Sequence, residues 1–197
     1  MSREDPVAVV NEFLARMNDA AGVHAMTLLG IIQIRSVVLA TEPENRTPES
    51  SIFIGHGDPN STEGFAYQRW RLDELPDQLD ADGPIVRAIG QQWVVMVAAQ
   101  WNDHYRERLA DAKGVEKNEV ADPYLADLNR MRNDIIHHRG IATSRNTGRC
   151  EQFKWFQIGE PIHVRAGHIA EFMAYLGLVE RTDEIDSGGP WKSRMSF

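Results

Sequence analysis

The chain has 197 residues, 42% apolar and 25% charged, with 21 basic against 29 acidic side chains and a formal net charge of −8. These proportions suit a globular protein and exclude a disordered or fibrous chain. The acidic balance excludes nucleic-acid binding through the surface as a whole, so any such site must be local. Cys150 is the one cysteine, which rules out an internal disulfide framework. The N-terminus lacks the basic-then-apolar pattern of a secretory signal. The most apolar stretch, residues 23–40, is interrupted by His24, Gln33, Arg35 and Ser36 and reads as a poor membrane span. The expectation is a soluble cytoplasmic protein, with one domain over 1–180, a loop-rich insertion at about 41–83 and a mobile tail at 181–197.

Asp5-Pro6 reads as an N-cap followed by proline at the first helical position. Val9, Val10, Phe13, Leu14 and Met17 then recur at helical spacing, with Gly22 as a stop. Residues 26–39 are rich in Ile and Val but long and unbroken, and are assigned to a second, buried helix. Residues 41–60 read as a loop around the short apolar run Ile52-Phe53-Ile54, with a turn at His56-Gly57-Asp58-Pro59-Asn60. Residues 65–72 fit a strand or a short helix, and residues 73–82 are acidic and solvated. Ile85, Ile89, Trp93, Val97, Trp101, Tyr105 and Leu109 mark a long helix that Gly114 caps. Asp122-Pro123 starts another helix, which Gly140 stops; a loop this short predicts antiparallel packing of the two. Residues 153–158 and Ile162-His163-Val164 predict a small β-hairpin near the C-terminus. Residues 169–176 form a short helix closed by Gly177.

The segment 129–149 departs from the acidic average. It holds Arg130, Arg132, Arg139, Arg145 and Arg149 against one acid, Asp134. On a helix advancing about 100° per residue, Arg132 lies about 40° and Arg139 about 20° from Leu128, inside the apolar stripe. A guanidinium there must be paired, exposed at the helix end, or set at the lip of a cleft or interface. Asn133 and His137 are four apart and share the polar face, so the amide can fix the imidazole tautomer. A histidine so held serves as general acid or base, and a nearby arginine stabilises charge developing on a phosphoryl oxygen. RNA brings its own nucleophile, the 2′-hydroxyl, so no metal or cofactor is called for. Arg132 and His137 are about 140° apart on a regular helix. They meet only if the helix ends near His137 or if two chains share one cleft across a two-fold axis.

The run Asn129-Arg130-Met131-Arg132-Asn133-Asp134-Ile135-Ile136-His137-His138-Arg139-Gly140 resembles the signature of the HEPN domain family: an arginine, four to six residues, then a histidine, often with a polar residue after the arginine. Arg132, Asn133 and His137 match the four-residue spacing; His138 matches the five-residue one. The resemblance covers residues 84–140 most closely and carries no information on the first 80. It implies a mainly α, antiparallel helical bundle. It also implies a metal-independent endoribonuclease acting as a homodimer, a toxin or defence effector with an antitoxin protein as possible partner. Arg132, Asn133 and His137 would then be catalytic, with Arg130, His138, Arg139, Arg145 and Arg149 binding RNA. The rival expectation is a non-catalytic helical module that binds a protein or a nucleotide. No histidine, cysteine or carboxylate spacing matches a metal site, and Cys150 reads as an inert thiol.

Overall fold

The computed structural model describes residues 3–58 and 64–178. In chain order it contains α1 (Pro6–Ala40), β1 (Ser51–His56), β2 (Phe65–Arg71), α2 (Leu75–Gln78), α3 (Pro84–Ala99), a π-helical segment (Gln100–Tyr105), α4 (Arg106–Lys113), α5 (Pro123–His137) and α6 (Ala166–Tyr175). The described residues are mainly helical, with one two-stranded antiparallel sheet. Two compact units divide it: Met1–Ala25 with Arg87–Phe197, and Met26–Val86. The expected tail at 181–197 and the residues Pro59-Asn60 of the expected turn lie outside the described residues.

In the first unit, the Val7 amide donates to Asp5 Oδ1 at 3.0 Å and opens α1. Val9, Phe13 and Met17 are buried on one of its faces, and the Phe13 ring lies 5.4 Å from Trp101 and 5.2 Å from Tyr105. Those two aromatics stand on the π segment. A four-residue rhythm drifts by about 40° per step on a 3.6-residue helix; one wide turn absorbs the drift and returns Trp101 and Tyr105 to the core. Gly114, with φ 69°, supplies the left-handed cap of α4. Asp122 opens α5 by accepting from the Tyr124 and Leu125 amides at 3.0 and 2.9 Å, and the Tyr175 hydroxyl donates to its other oxygen. The Tyr124 and Tyr175 rings stack beside that cap.

Three contacts set the direction of α5. Arg106 donates to the Val120 carbonyl at 2.7 Å, Asn102 to Asn129 Oδ1 at 3.1 Å, and Gln91 to the Ile162 carbonyl beside Gly140 at 2.9 Å. As the first partner recedes along the chain the second advances, so α5 runs antiparallel to the helix before it, as expected.

The hairpin expected near the C-terminus is not formed; the sheet lies at residues 51–71 instead. The backbone amides of Glu151, Gln152 and Phe153 are all taken by the Asp127 carboxylate. The Phe153 ring is spent on Tyr124, Trp155 and Phe172. The start of that segment is thereby committed to α5 and α6, not to a ladder. What pairs instead is Ile141 with Pro161, a single antiparallel bridge, flanked by Ala142 N to Glu160 O at 2.9 Å and Gly159 N to Ala142 O at 2.8 Å.

The second unit begins inside α1, which runs through Gly22 without a break. A helix-interior glycine costs only about 1 kcal/mol, too little to end a helix with apolar sequence on both sides. The unit thus starts at Met26, where the insertion was expected at about residue 41, and residues 26–39 are not buried on all sides. By length and composition alone, α1 is able to cross a membrane. β1 and β2 pair from Ser51 with Arg71 to His56 with Phe65, with an irregularity at Ile54/Gly55. The acidic stretch after β2 is partly engaged: Asp80 pairs with Arg35 at 2.9 Å, and Arg35 also donates to the Pro76 carbonyl at 3.1 Å.

Gly140 has φ 70°, and a Cβ there would come within 2.3 Å of Gln91 Nε2. Gly140→Ala is predicted to lower the unfolding free energy by about 1–2 kcal/mol, from the strained backbone and the displaced amide. Urea denaturation checks it; an unchanged midpoint would mean that the turn relaxes freely.

Candidate functional site

Two aspartates on α5, Asp127 and Asp134, have no exposed surface. They are seven residues apart, two turns along one face. Asp134 accepts from the Thr143 amide (2.8 Å), the Thr143 hydroxyl (2.7 Å), Asn146 Nδ2 (2.8 Å) and the Thr147 amide (3.0 Å). Its backbone carbonyl accepts from the His138 and Gly140 amides and so closes the helix. Burial by itself would push the Asp134 carboxyl up, but the hydrogen bonds from Thr143, Asn146 and Thr147 outweigh it and hold the pKa down at about 2. Asp127 accepts from the amides of Glu151, Gln152 and Phe153 at 2.7–3.0 Å and from Arg130 Nη1 at 2.5 Å. The two carboxylates therefore tie the irregular chain from Thr143 to Phe153 along the side of α5.

This tether holds the loop that carries Arg145 and Arg149 against α5. Arg132 and Asn133 stand half-exposed in the last turns of α5, His137 is its last residue and exposed, and His138 and Arg139 follow in the turn, also exposed. Arg139 adopts φ 56°, a left-handed conformation that branched and bulky residues avoid, immediately before Gly140. Arg145 and Arg149 are exposed on the tethered loop, either side of Asn146 and Thr147, which bind Asp134.

Arg132 Nη1 donates to Asn133 Oδ1 at 3.2 Å. Among the described residues, no carboxylate pairs with Arg132. The Asn133 amide oxygen thus holds the arginine, where the spacing had suggested that it would hold His137. No hydrogen bond joins Asn133 or Arg132 to His137 among the described residues. Arg130 belongs to the carboxylate of Asp127, which removes it from the set of open cations. The π segment reaches the same helix: Asn102 donates to Asn129 Oδ1, one turn before Arg132 and Asn133, and to the Ala98 carbonyl at 2.9 Å. Asp103 and His104 are exposed, and His104 contacts Arg108, which also binds Glu4 and Glu12.

Sequence reasoning missed both aspartates. Asp134 counted only as one negative charge among five arginines. The signal available was the seven-residue spacing, which puts two acids on one face between apolar neighbours. Cys150 is buried, with its thiol 3.6 Å from the Asp127 carbonyl. Burial, reinforced by the Asp127 charge, pushes its pKa up to about 12. His168 stacks on Trp155 at 4.8 Å, accepts from the Arg165 amide through Nδ1, and is pushed below the usual histidine range by burial and by Arg165. It belongs to the α6 packing. Among the described residues, no cluster of three or more His, Cys, Asp or Glu side chains is placed to share a cation. Comparison with protein-family models, with curated proteins and with solved structures finds no match.

Asp134→Asn puts an NH₂ where two backbone amides, a hydroxyl and an amide side chain all donate, and is predicted to cost about 3 kcal/mol at pH 7. The folded pKa lies below the ordinary 3.8. The stability from the ionised carboxylate is therefore fully present above about pH 4 and lost as pH falls toward 2. The gap between wild type and variant, followed by urea denaturation against pH, should narrow over that window and nowhere above it. A gap independent of pH would show that charge is not what the loop responds to. A second expected outcome concerns Cys150: iodoacetamide at pH 8 leaves the folded chain unmodified and alkylates it once urea unfolds it, read by mass spectrometry.

Proposed function

We propose that the chain is a metal-independent endoribonuclease of the HEPN type, whose reactive groups are Arg132 and His137 at the C-terminal end of α5. The observation that carries the reading is Arg132 itself. A half-exposed guanidinium in the last turns of a packed helix, held by the neutral Asn133 oxygen and by no carboxylate among the described residues, keeps its charge and most of its five donors for an external anion. The arginine expected of a structural module would instead be closed off by an acid of its own chain. His137, His138 and Arg139 are exposed at the same helix end, and Arg145 and Arg149 are exposed on the loop tethered to α5, a local run of basic residues on an acidic protein.

In the proposed reaction the 2′-oxygen of a ribose attacks the adjacent phosphorus and the P–O5′ bond breaks. A 2′,3′-cyclic phosphate and a 5′-hydroxyl end result. One imidazole takes the 2′-hydroxyl proton and another acid protonates the departing 5′-oxygen. Arg132 neutralises charge on the non-bridging oxygens. In one chain Asn133 engages the arginine and leaves His137 unattached. The reading therefore places two α5 ends, from two chains, around one phosphodiester, so that the second His137 supplies the acid. Such a nuclease fits a toxin or defence effector restrained by an antitoxin protein.

The absence, among the described residues, of a hydrogen bond orienting His137 supports a second reading, a non-catalytic module that grips a nucleotide or protein anion with Arg132, Arg139, Arg145 and Arg149. One experiment separates the two. Purified protein is incubated with total RNA and EDTA, beside Arg132→Ala and His137→Ala. The nuclease reading expects cleavage leaving cyclic phosphate ends and a loss of about 100-fold or more in each variant. Binding without cleavage in the wild type selects the module. Equal cleavage by all three proteins would show a contaminant or a different site.

A further inference from the structure

We propose that the exposed face of α1 over residues 26–40 is covered by the same face of a second copy of this chain, the two helices running antiparallel. The inference rests on α1 alone and does not depend on the nuclease reading.

The helix is apolar on both sides, yet only one side is packed. Ile31 and Val38 are buried, and Arg35 between them is tied to Asp80 and the Pro76 carbonyl. On the opposite side Met26 is 69% exposed, and Leu29, Ile32 and Val37 are each 59% exposed. Between Asp19 and Glu42 no exposed position of α1 carries a charge. A helix that is hydrophobic all round is normally buried all round, and an open apolar patch of this kind marks a contact surface.

Charge separates the candidate occupants. Residues 26–86 hold ten acidic against four basic side chains. Helices that lie on a lipid surface flank their apolar face with lysine and arginine to meet anionic headgroups; here the flanks would be repelled. A bilayer-spanning placement would carry the Arg35–Asp80 pair and the acidic α2 segment into hydrocarbon. A charged peptide would find no counter-charge on the open face.

The same face of another copy does fit. Met26, Leu29, Gln33, Ser36 and Ala40 step by three and four, the spacing of a helix-pair seam. In an antiparallel two-fold pairing centred at the level of residue 31, Met26 meets Ser36 of the copy and Leu29 meets Gln33. A bulky apolar side chain thus faces a short or slender polar one at each of these layers. At Gly30, beside the axis, even a Cβ would touch nothing within 4 Å in the single chain, so no side chain at that position stands in the way of the approaching helix. A parallel pairing would set Met26 on Met26 and bury Gln33 against Gln33. Fifteen residues give a seam about 22 Å long, at the small end for a stable dimer, so a dissociation constant on the order of 1–10 µM is expected.

Sedimentation of the full chain between about 1 and 100 µM tests the proposal. The wild type should show a monomer–dimer equilibrium. Leu29→Glu, at an exposed position, should weaken it by about 30-fold or more without changing the circular dichroism spectrum or the melting temperature. The variant carrying Met26→Cys and Ser36→Cys together should form a disulfide-linked dimer on mild oxidation, and Met26→Cys alone should not; Cys150 is buried and silent in this assay. A wild type that stays monomeric overturns the proposal, whether or not it floats with phosphatidylcholine or phosphatidylglycerol vesicles; flotation would assign the face to lipid. A dimer indifferent to Leu29→Glu places the contact elsewhere, α5 included. Cross-linking by Met26→Cys alone overturns the antiparallel arrangement. Because Leu29→Glu is read by mass and Arg132→Ala by cleavage, either idea can fail without the other.

Discussion

Two carboxylates without solvent, Asp127 and Asp134, govern how the functional end of this protein is put together. A buried negative charge is tolerated only when its lone pairs are filled, and here donors from an irregular eleven-residue stretch, residues 143–153, fill them. The dependence runs both ways. The aspartates are stable because the loop wraps them, and the loop has one shape because the aspartates leave its amides no alternative. No regular ladder is needed to order backbone that would otherwise need water. The helix terminus is closed by the same residue, since the Asp134 carbonyl takes the amides of His138 and Gly140. Helix end, turn and loop are thereby one mechanical piece.

That piece explains how an acidic protein presents a basic surface. The residues that grip Asp134 are neutral: Thr143, Asn146 and Thr147. The arginines interleaved with them, Arg145 and Arg149, have no place on the inside and are left facing out. Arg130 is the exception, because its three-residue spacing from Asp127 makes it part of the internal pairing. Position relative to the buried acids, more than the number of arginines, decides which cations remain for a ligand.

Helix starts and stops were legible wherever a local, covalent preference set them. Asp5-Pro6, Asp122-Pro123, Gly114 and Gly140 all act within a few residues of themselves, so the pattern in the chain carries the whole cause. The antiparallel course of α5 followed from the length of one loop. The C-terminal hairpin was not legible. The apolar, aromatic run at residues 153–158 beside the alternating Ile162-His163-Val164 signalled a pair of strands, but the partners of the first segment were a carboxylate more than twenty positions earlier and rings on α5 and α6. The break expected at Gly22 weighed one residue's propensity against nothing, where the rest of the long apolar run outweighed it. At the site, the four-residue spacing of Asn133 and His137 established that they are neighbours, but the amide oxygen had a stronger customer in the adjacent guanidinium. Which of two reachable partners wins is a question of rotamer and charge that spacing does not contain.

The wide turn at Gln100–Tyr105 separates two packing obligations that a uniform helix could not meet together. Upstream, Gln91 and Trp93 are phased toward the Ile162 carbonyl and Phe172; downstream, Trp101 and Tyr105 are phased toward Phe13. The turn therefore works like the slack in a gear train, letting each half keep its own rotational setting. Loss of a single residue from it would remove that slack, and one of the two sets of side chains would have to leave its place by roughly 100°.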